Sequence, residues 1–365
     1  MTHWQVHLRN LLLPPHKFHR LLDYVQMIGL DPQELAQRAR FNLNVLSTPD
    51  AEQGIPGVYY SLIYREAVQE MQKKHTAIPW AGGIGTDSFR FMAYSIITCK
   101  TLGDALQRAQ EYYRFVYPLT AHRIELVREK PSAKLRYYIN TEGMQAVFAP
   151  KHWDRSEHFE AVAKSSGIRT WYSFCGWLIG RQIESEQASV AAPFVNTLYQ
   201  ESLEKLFGCT LEFDAAETAL IFPDDYLAYR LVHTENSLEQ FLQHVLYQFW
   251  DGEEGRTSTS MAIKSILGRD FREGMPSFEA IADTLHMSSS ALRRRLMKEN
   301  TSYQELKNES RRAAAIDYLR NDDLKIQEVV ELLGFAEPSS FVKSFRSWTG
   351  MTPSAYRESA QSFTL

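Results

Sequence analysis

The stretch GFAEPSSFVKSFRSWTGMTPSAYR, residues 334–357, carries the signals of a turn, a short helix and its stop. Pro338 suits the first position of a helix, because its φ is already helical and its missing N–H is one that stays open there. Phe341 and Phe345 stand four residues apart, so both fall on one helix face and can be buried together. Trp348, Gly350 and Pro353 then mark where that helix stops. Immediately upstream, IQEVVELL (326–333) reads as another short helix, so the whole segment has the grammar helix, tight turn, helix.

The same grammar occurs earlier, in FEAIADTLHMSSSALRRRL (278–296). Its turn, Leu285-His286-Met287, precedes Leu333-Gly334-Phe335 by 48 residues, and Leu292/Leu296 form the buried pair that Phe341/Phe345 form later. The second copy has one more residue in its turn. Between the copies, TSYQELKNESRRAAAIDYLR (301–320) reads as one long helix, with Thr301 and Gln304 as a capping box and three alanines favouring helix.

Upstream of this repeat, helix and strand signals interleave. Asp31 caps a helix with Pro32 at its first position, after a helix that ends at Gly29. Thr101 and Asp104 have capping-box spacing. Residues 122–140 alternate around Lys-Pro-Ser as a β-hairpin, and FGCTLEFDAAETALIFP (207–223) reads as a further strand pair. The polar segment DGEEGRTSTS (251–260) follows an aromatic helical stretch and is the expected boundary. The expected architecture is therefore two domains: a mixed α/β N-terminal domain over 1–250, a linker over 251–260, and an all-α C-terminal domain over 261–365 with two helix-turn-helix units joined by a long helix. The composition agrees, with 44% hydrophobic and 23% charged residues and no run long enough to span a membrane. Three widely spaced cysteines, Cys99, Cys175 and Cys209, argue against a disulfide framework and fit a reducing cytoplasm.

A short helix, a turn and a second helix with an exposed polar face is the pattern whose second helix enters the DNA major groove. Serines at the helix start cap it and leave backbone N–H groups outward, where phosphate is favoured. With Leu292 and Leu296 turned inward, Ser289, Ser290, Arg293 and Arg294 project outward, and arginine can bind guanine O6 and N7 with two parallel hydrogen bonds. The equivalent positions of the second copy are Ser339, Ser340, Val342 and Lys343, with Arg346 nearer the DNA backbone. Arg295 lies beside the buried face and is expected to be a bystander, and Arg311 and Arg312 on the connecting helix to be surface or salt-bridging residues. The whole chain carries a net charge of −4, and residues 257–365 carry 15 basic against 14 acidic residues. A domain so nearly neutral must bind DNA by placement of arginines rather than by bulk attraction.

Gly334-Phe335, Phe341, Phe345, Trp348, Gly350, Pro353 and Tyr356-Arg357 closely resemble the C-terminal signature of the AraC/XylS family of bacterial transcription regulators. The first copy, through SALRRRLMKENTSYQEL, is similar, and the resemblance covers roughly residues 260–357. It implies two helix-turn-helix units reading successive major-groove segments of double-stranded DNA. Four positions depart from the family pattern: Lys343 where arginine is common, Val330 for alanine, Lys325 for a serine-like cap that Asp322 or Asp323 could replace, and His286 for a turn glycine. Histidine tolerates positive φ better than most residues. TLGDALQRAQEYYRFV and FGCTLEFDAAETALIFP resemble the larger sensor domain of one family branch, which implies a small-molecule effector of unspecified identity. Activation, RNA polymerase as a partner and a homodimer are further implications of the resemblance.

Other chemistry finds little support in the sequence. GGIGTDSF (82–89) lacks the third glycine and the Lys-Ser/Thr of phosphate loops and reads as a tight turn. His152, Asp154 and His158 match no common zinc spacing, and neither a metal nor a cofactor is expected. There is no G-x-S-x-G or H-E-x-x-H, and hence no catalytic residue to name. Two alternatives stay open at this point: a DNA-targeted enzyme such as an alkyl-transfer repair protein, which needs an activated cysteine, and a regulator whose N-terminal domain only dimerises or recruits a partner.

Overall fold

A computed structural model describes residues 12–48, 54–74, 81–120, 122–140, 158–243, 259–319 and 324–362. Most of the boundary segment, Asp322, Asp323, His152 and Asp154 lie outside them. The chain divides into two compact units, one of residues 1–178 and 182–257, the other of 258–365 with 179–181. None of the described helices is long and apolar enough to cross a membrane.

The first unit begins with a helical layer. Helices α1 (Pro15–Met27), α2 (Pro32–Arg38) and α3 (Gly57–Lys73) pack with a two-stranded sheet, β1 (Leu12–Leu13) with β2 (Ile55–Pro56), around Phe18, Val25, Ile63 and Val68. The expected signals set its helix ends. Gly29 has φ +79° beyond α1, and the Asp31 carboxylate accepts from Gln33 N–H at 2.8 Å, with Pro32 at the first helical position.

The rest of the unit is built on a five-stranded sheet whose strands lie in the order β3 (His122–Glu129), β4 (Ser132–Ile139), β7 (Ala219–Pro223), β5 (Gln187–Ser189), β6 (Leu211–Glu212). Strands β3 (His122–Glu129) and β4 (Ser132–Ile139) form the expected hairpin about Lys130-Pro131. Along β4, Ala133, Leu135, Tyr137 and Ile139 are buried while Lys134, Arg136 and Tyr138 face outward, the period-two alternation of a half-buried strand. α5 (Leu102–Thr120) packs on β3 and α4 (Asp87–Ile96) packs on α5, while the long apolar α6 (Phe159–Ile179) has Trp171, Tyr172 and Phe174 fully buried. Gly167 on α6 is required by close approach: a Cβ there would lie 2.1 Å from the Tyr137 ring. Thr101 and Asp104 cap α5 reciprocally, each backbone N–H donating to the other's side chain at 3.2 Å. The GGIGTDSF glycines form a turn, with Gly82, Gly83 and Gly85 at positive φ, that delivers Thr86 as the cap of α4.

One strand expectation is corrected. Residues 207–223 do hold two strands, β6 (Leu211–Glu212) and β7 (Ala219–Pro223), but they do not pair with each other. β5 (Gln187–Ser189) lies between them, antiparallel to β7 and parallel to β6. Three residues carry no readable periodicity, so the intervening strand is invisible to a pattern search. Helix α7 (Thr197–Phe207) precedes β6 and α8 (Glu235–Gln243) follows β7.

Just before α8, His233 is buried with its ring 3.9 Å from, and nearly parallel to, that of Trp177, while Phe241 covers Trp177 at 4.3 Å. Burial disfavours the imidazolium and pulls the His233 pKa down to about 3. The folded state thus holds this group neutral, whereas the unfolded chain binds its proton near pH 6.5, so its contribution to stability is present above pH 6.5 and is lost as pH falls from there toward 3. At 1.36 kcal/mol per pKa unit, about 2–3 kcal/mol is lost between pH 7 and pH 4.5 from this group alone. Urea unfolding followed by Trp fluorescence at both pH values should show that loss, and His233→Phe should flatten it.

Candidate nucleic-acid interface

The second unit is entirely helical among its described residues. Its helices are α9 (Thr259–Leu267), α10 (Phe278–Thr284), α11 (Ser289–Lys298), α12 (Tyr303–Leu319), α13 (Ile326–Leu332), α14 (Pro338–Thr349) and α15 (Pro353–Ser362). The pairs α10–α11 and α13–α14 are the two repeat copies, and α12 joins them.

The two turns have the same hydrogen-bond pattern. After α10, His286 N–H donates to Asp283 C=O and Met287 N–H to Ala282 C=O; after α13, Gly334 N–H donates to Glu331 C=O and Phe335 N–H to Val330 C=O. This is the Schellman closure, which needs a left-handed residue just past the helix. His286 supplies it at φ +50° and Gly334 at φ +67°. The histidine therefore occupies the glycine position of the second copy in the same conformation. Gly334 has a second constraint, since a Cβ there would stand 2.3 Å from the Phe271 carbonyl oxygen. Val330 is fully buried where the first copy has Ala282, which is buried too.

The helix starts follow from capping. Ser277 accepts from Ala280 N–H at 3.0 Å and Ser288 from Ala291 N–H at 3.2 Å. Pro338 occupies the first helical position of α14. At α13, Lys325 has no acceptor to offer its helix, and Glu328 instead reaches back to the Lys325 N–H at 2.6 Å. The cap of α12 is corrected by one residue. Ser302 and Glu305 form the reciprocal box, Ser302 N–H donating to Glu305 at 2.7 Å, while Gln304 turns away to Asn308. Thr301 stands one position too early, and the glutamate is a stronger acceptor than the glutamine amide.

With Leu292, Leu296, Phe341 and Phe345 buried, the outward faces are set. On α11, Ser290, Arg293 and Arg294 are exposed and Ser289 is half-buried; on α14, Ser339, Ser340, Val342, Lys343 and Arg346 are exposed. Ser339, Val342, Lys343, Arg346 and Ser347 line an open groove along α14. Arg295 is half-buried and has an interaction within the protein. Arg311 is half-buried rather than a surface residue, with no ion pair among the described residues, and its guanidinium lies 5.5 Å from the centre of the Phe335 ring, at the second turn. Sequence reading overlooked Met297, which is 69% exposed and continues the Ser290–Arg293–Arg294 row one turn further. Its spacing was the available signal.

Residues 29–231 match the family described as the arabinose-binding domain of AraC transcription regulators, and residues 281–359 match a helix-turn-helix domain. The chain belongs to the AraC family of transcription regulators. It is similar to the ornithine utilization regulator of Pseudomonas aeruginosa, 26% identical over 95% of this chain and 96% of that protein. It is 27% identical to an uncharacterised HTH-type transcriptional regulator of Mycobacterium tuberculosis, over 76% of this chain and 79% of that one. The regulator VirS of the same organism is 43% identical across 23% of this chain and 25% of its own length. As an AraC-family member the chain is a ligand-responsive DNA-binding regulator and not an enzyme. Burial raises all three cysteine thiols, Cys175 to about 12 and Cys209 to about 11. Among the described residues no group of three or more His, Cys, Asp or Glu could hold a metal ion.

The two left-handed positions predict opposite responses. Gly334→Ala meets both the left-handed penalty and the Phe271 carbonyl and should cost at least about 2 kcal/mol. His286→Gly removes a left-handed penalty and should be neutral or stabilising by up to about 1 kcal/mol. Thermal unfolding of the two variants checks both signs.

Proposed function

We propose that α11 and α14 are the two DNA-reading helices of this AraC-family regulator, with Arg293 and Arg294 as its principal base readers. The observation that carries the proposal is the recurrence of one turn geometry in two copies, each holding a polar helix face outward over a buried apolar pair. Ser289, Ser290, Ser339 and Ser340 sit at the helix starts, where N–H groups and hydroxyls suit phosphate. Arg293 and Arg294 can each make the two-bond contact to guanine, whereas Lys343 offers a point charge and Val342 an apolar contact suited to a thymine methyl. Arg346, one turn beyond Val342, is assigned to the DNA backbone. The first copy is thus the stronger sequence reader.

In this reading residues 1–250 form the sensor, 251–260 the linker and 261–365 the DNA-binding domain. The effector acts by binding one state of the sensor better than another, as any coupled equilibrium requires. Activation through RNA polymerase and assembly of two copies on one operator complete the proposal, both by analogy with the family.

Arg293→Ala and Arg294→Ala should each cost about 1–3 kcal/mol at the preferred DNA site and relax preference at one base pair. Arg346→Ala should weaken binding evenly across sequences and reduce the salt slope by about 1. Competition binding with DNA selected from a random pool by the full chain measures both. Unchanged affinity and preference in both α11 arginine variants refutes the assignment.

A further inference from the structure

Arg293 is exposed, and among the described residues its guanidinium has neither an ion pair nor a hydrogen bond. What faces it is an aromatic ring: the guanidinium carbon lies 5.6 Å from the centroid of Phe278, the first residue of α10. Phe278 is backed in turn by Tyr303, the first residue of α12, with ring centroids 5.6 Å apart and planes at 51°. The Tyr303 hydroxyl donates to the Pro276 carbonyl, which ties that ring to the segment leading into α10. The Lys307 ammonium lies 5.1 Å from the Tyr303 ring and ends the row. Cation, ring, ring and cation thus follow one another across the starts of two helices and the middle of α11. Arg294, the neighbouring reader, has no such ring contact among the described residues.

We propose that Phe278 is a positioning residue for Arg293, holding its guanidinium in the orientation in which it reads DNA, with Tyr303 fixing the ring from behind. The inference rests on the assignment of Arg293 as a base reader. A long arginine side chain loses considerable rotamer freedom when it docks, and a ring that already restricts it reduces that loss. The guanidinium is attracted to the ring face by its charge, and it keeps its donors in its own plane. A planar fork of donors is what two-point contact with guanine O6 and N7 needs. Phe278 therefore sharpens the preference of Arg293 at one base pair without touching the base.

The test uses the full chain and DNA selected by it from a random-sequence pool, with competition binding against single-base variants of that site. Phe278→Leu keeps an apolar side chain of similar bulk and removes the ring. It should lower affinity for the selected site by about three- to tenfold. The loss should fall at the same base pair whose preference Arg293→Ala relaxes and leave the base pair governed by Arg294 unchanged. Phe278→Tyr should retain both affinity and preference. Adding Phe278→Leu to Arg293→Ala should bring no further loss, and Tyr303→Phe should give a smaller loss at the same base pair. Equal losses with and without Arg293, or a uniform weakening over all sequences, overturns the positioning role while leaving the reading helix in place. If Arg293→Ala itself changes no preference, the assignment of the reader fails, and the positioning role fails with it.

Discussion

The geometry of the DNA-binding unit depends on a single left-handed residue after each first helix. Without it the Schellman hydrogen bonds cannot close, and the chain cannot turn sharply enough to bury Leu292/Leu296 or Phe341/Phe345 while facing the other side outward. Glycine meets this need without a steric penalty, and in the second copy it also admits the Phe271 backbone. The Phe271 N–H donates to Leu332 C=O at 2.8 Å, so the segment after α9 is fastened to the end of α13. In the first copy His286 takes the same left-handed conformation at φ +50° with its side chain exposed.

Charge placement follows from that geometry. The unit is close to neutral, and its basic residues divide into those used by the protein and those left outward. Arg311 lies on Phe335, Arg269 pairs with Asp317 at 2.9 Å, and Lys264 pairs with Glu309 at 2.6 Å. Arg293, Arg294, Lys343 and Arg346 remain exposed on the two second helices. A row of three arginines in sequence is thus divided by the helix period. Two of them point outward, and Arg295 is turned toward the body of the unit.

The readable parts of this chain were those whose signal is local. Asp31 with Pro32, Thr101 with Asp104, the 122–140 hairpin and the two copied turns each depend on residues a few positions apart, and each forms as its spacing implies. The α12 cap slipped by one residue because Thr301/Gln304 and Ser302/Glu305 offer overlapping boxes, and only the charge on Glu305 separates them. The β6–β7 pairing was misread because pairing is non-local and the strand between them is three residues long. Phe278 and Tyr303 escaped notice for a related reason. In sequence an aromatic residue at a helix start reads as core, and only the fold brings Arg293 of α11 to its face.

The beginning of α9 shows how firmly the reading helix is framed. Thr259 and Ser260, the first two residues of α9, donate their backbone N–H groups to the two oxygens of Glu299 at 2.8 and 2.9 Å. Glu299 is the cap that ends α11. The open donors of one helix are thereby satisfied by a carboxylate at the close of the reading helix, and its negative charge suits the positive end of the α9 dipole. Charge-assisted bonds of this kind are among the stronger ones in proteins. Fraying of the first turn of α9 breaks both of these bonds, so the start of α9 and the end of α11 hold one another. A domain with little net charge to draw it to DNA needs its few outward arginines held in fixed positions, and this contact holds the end of the helix that carries two of them.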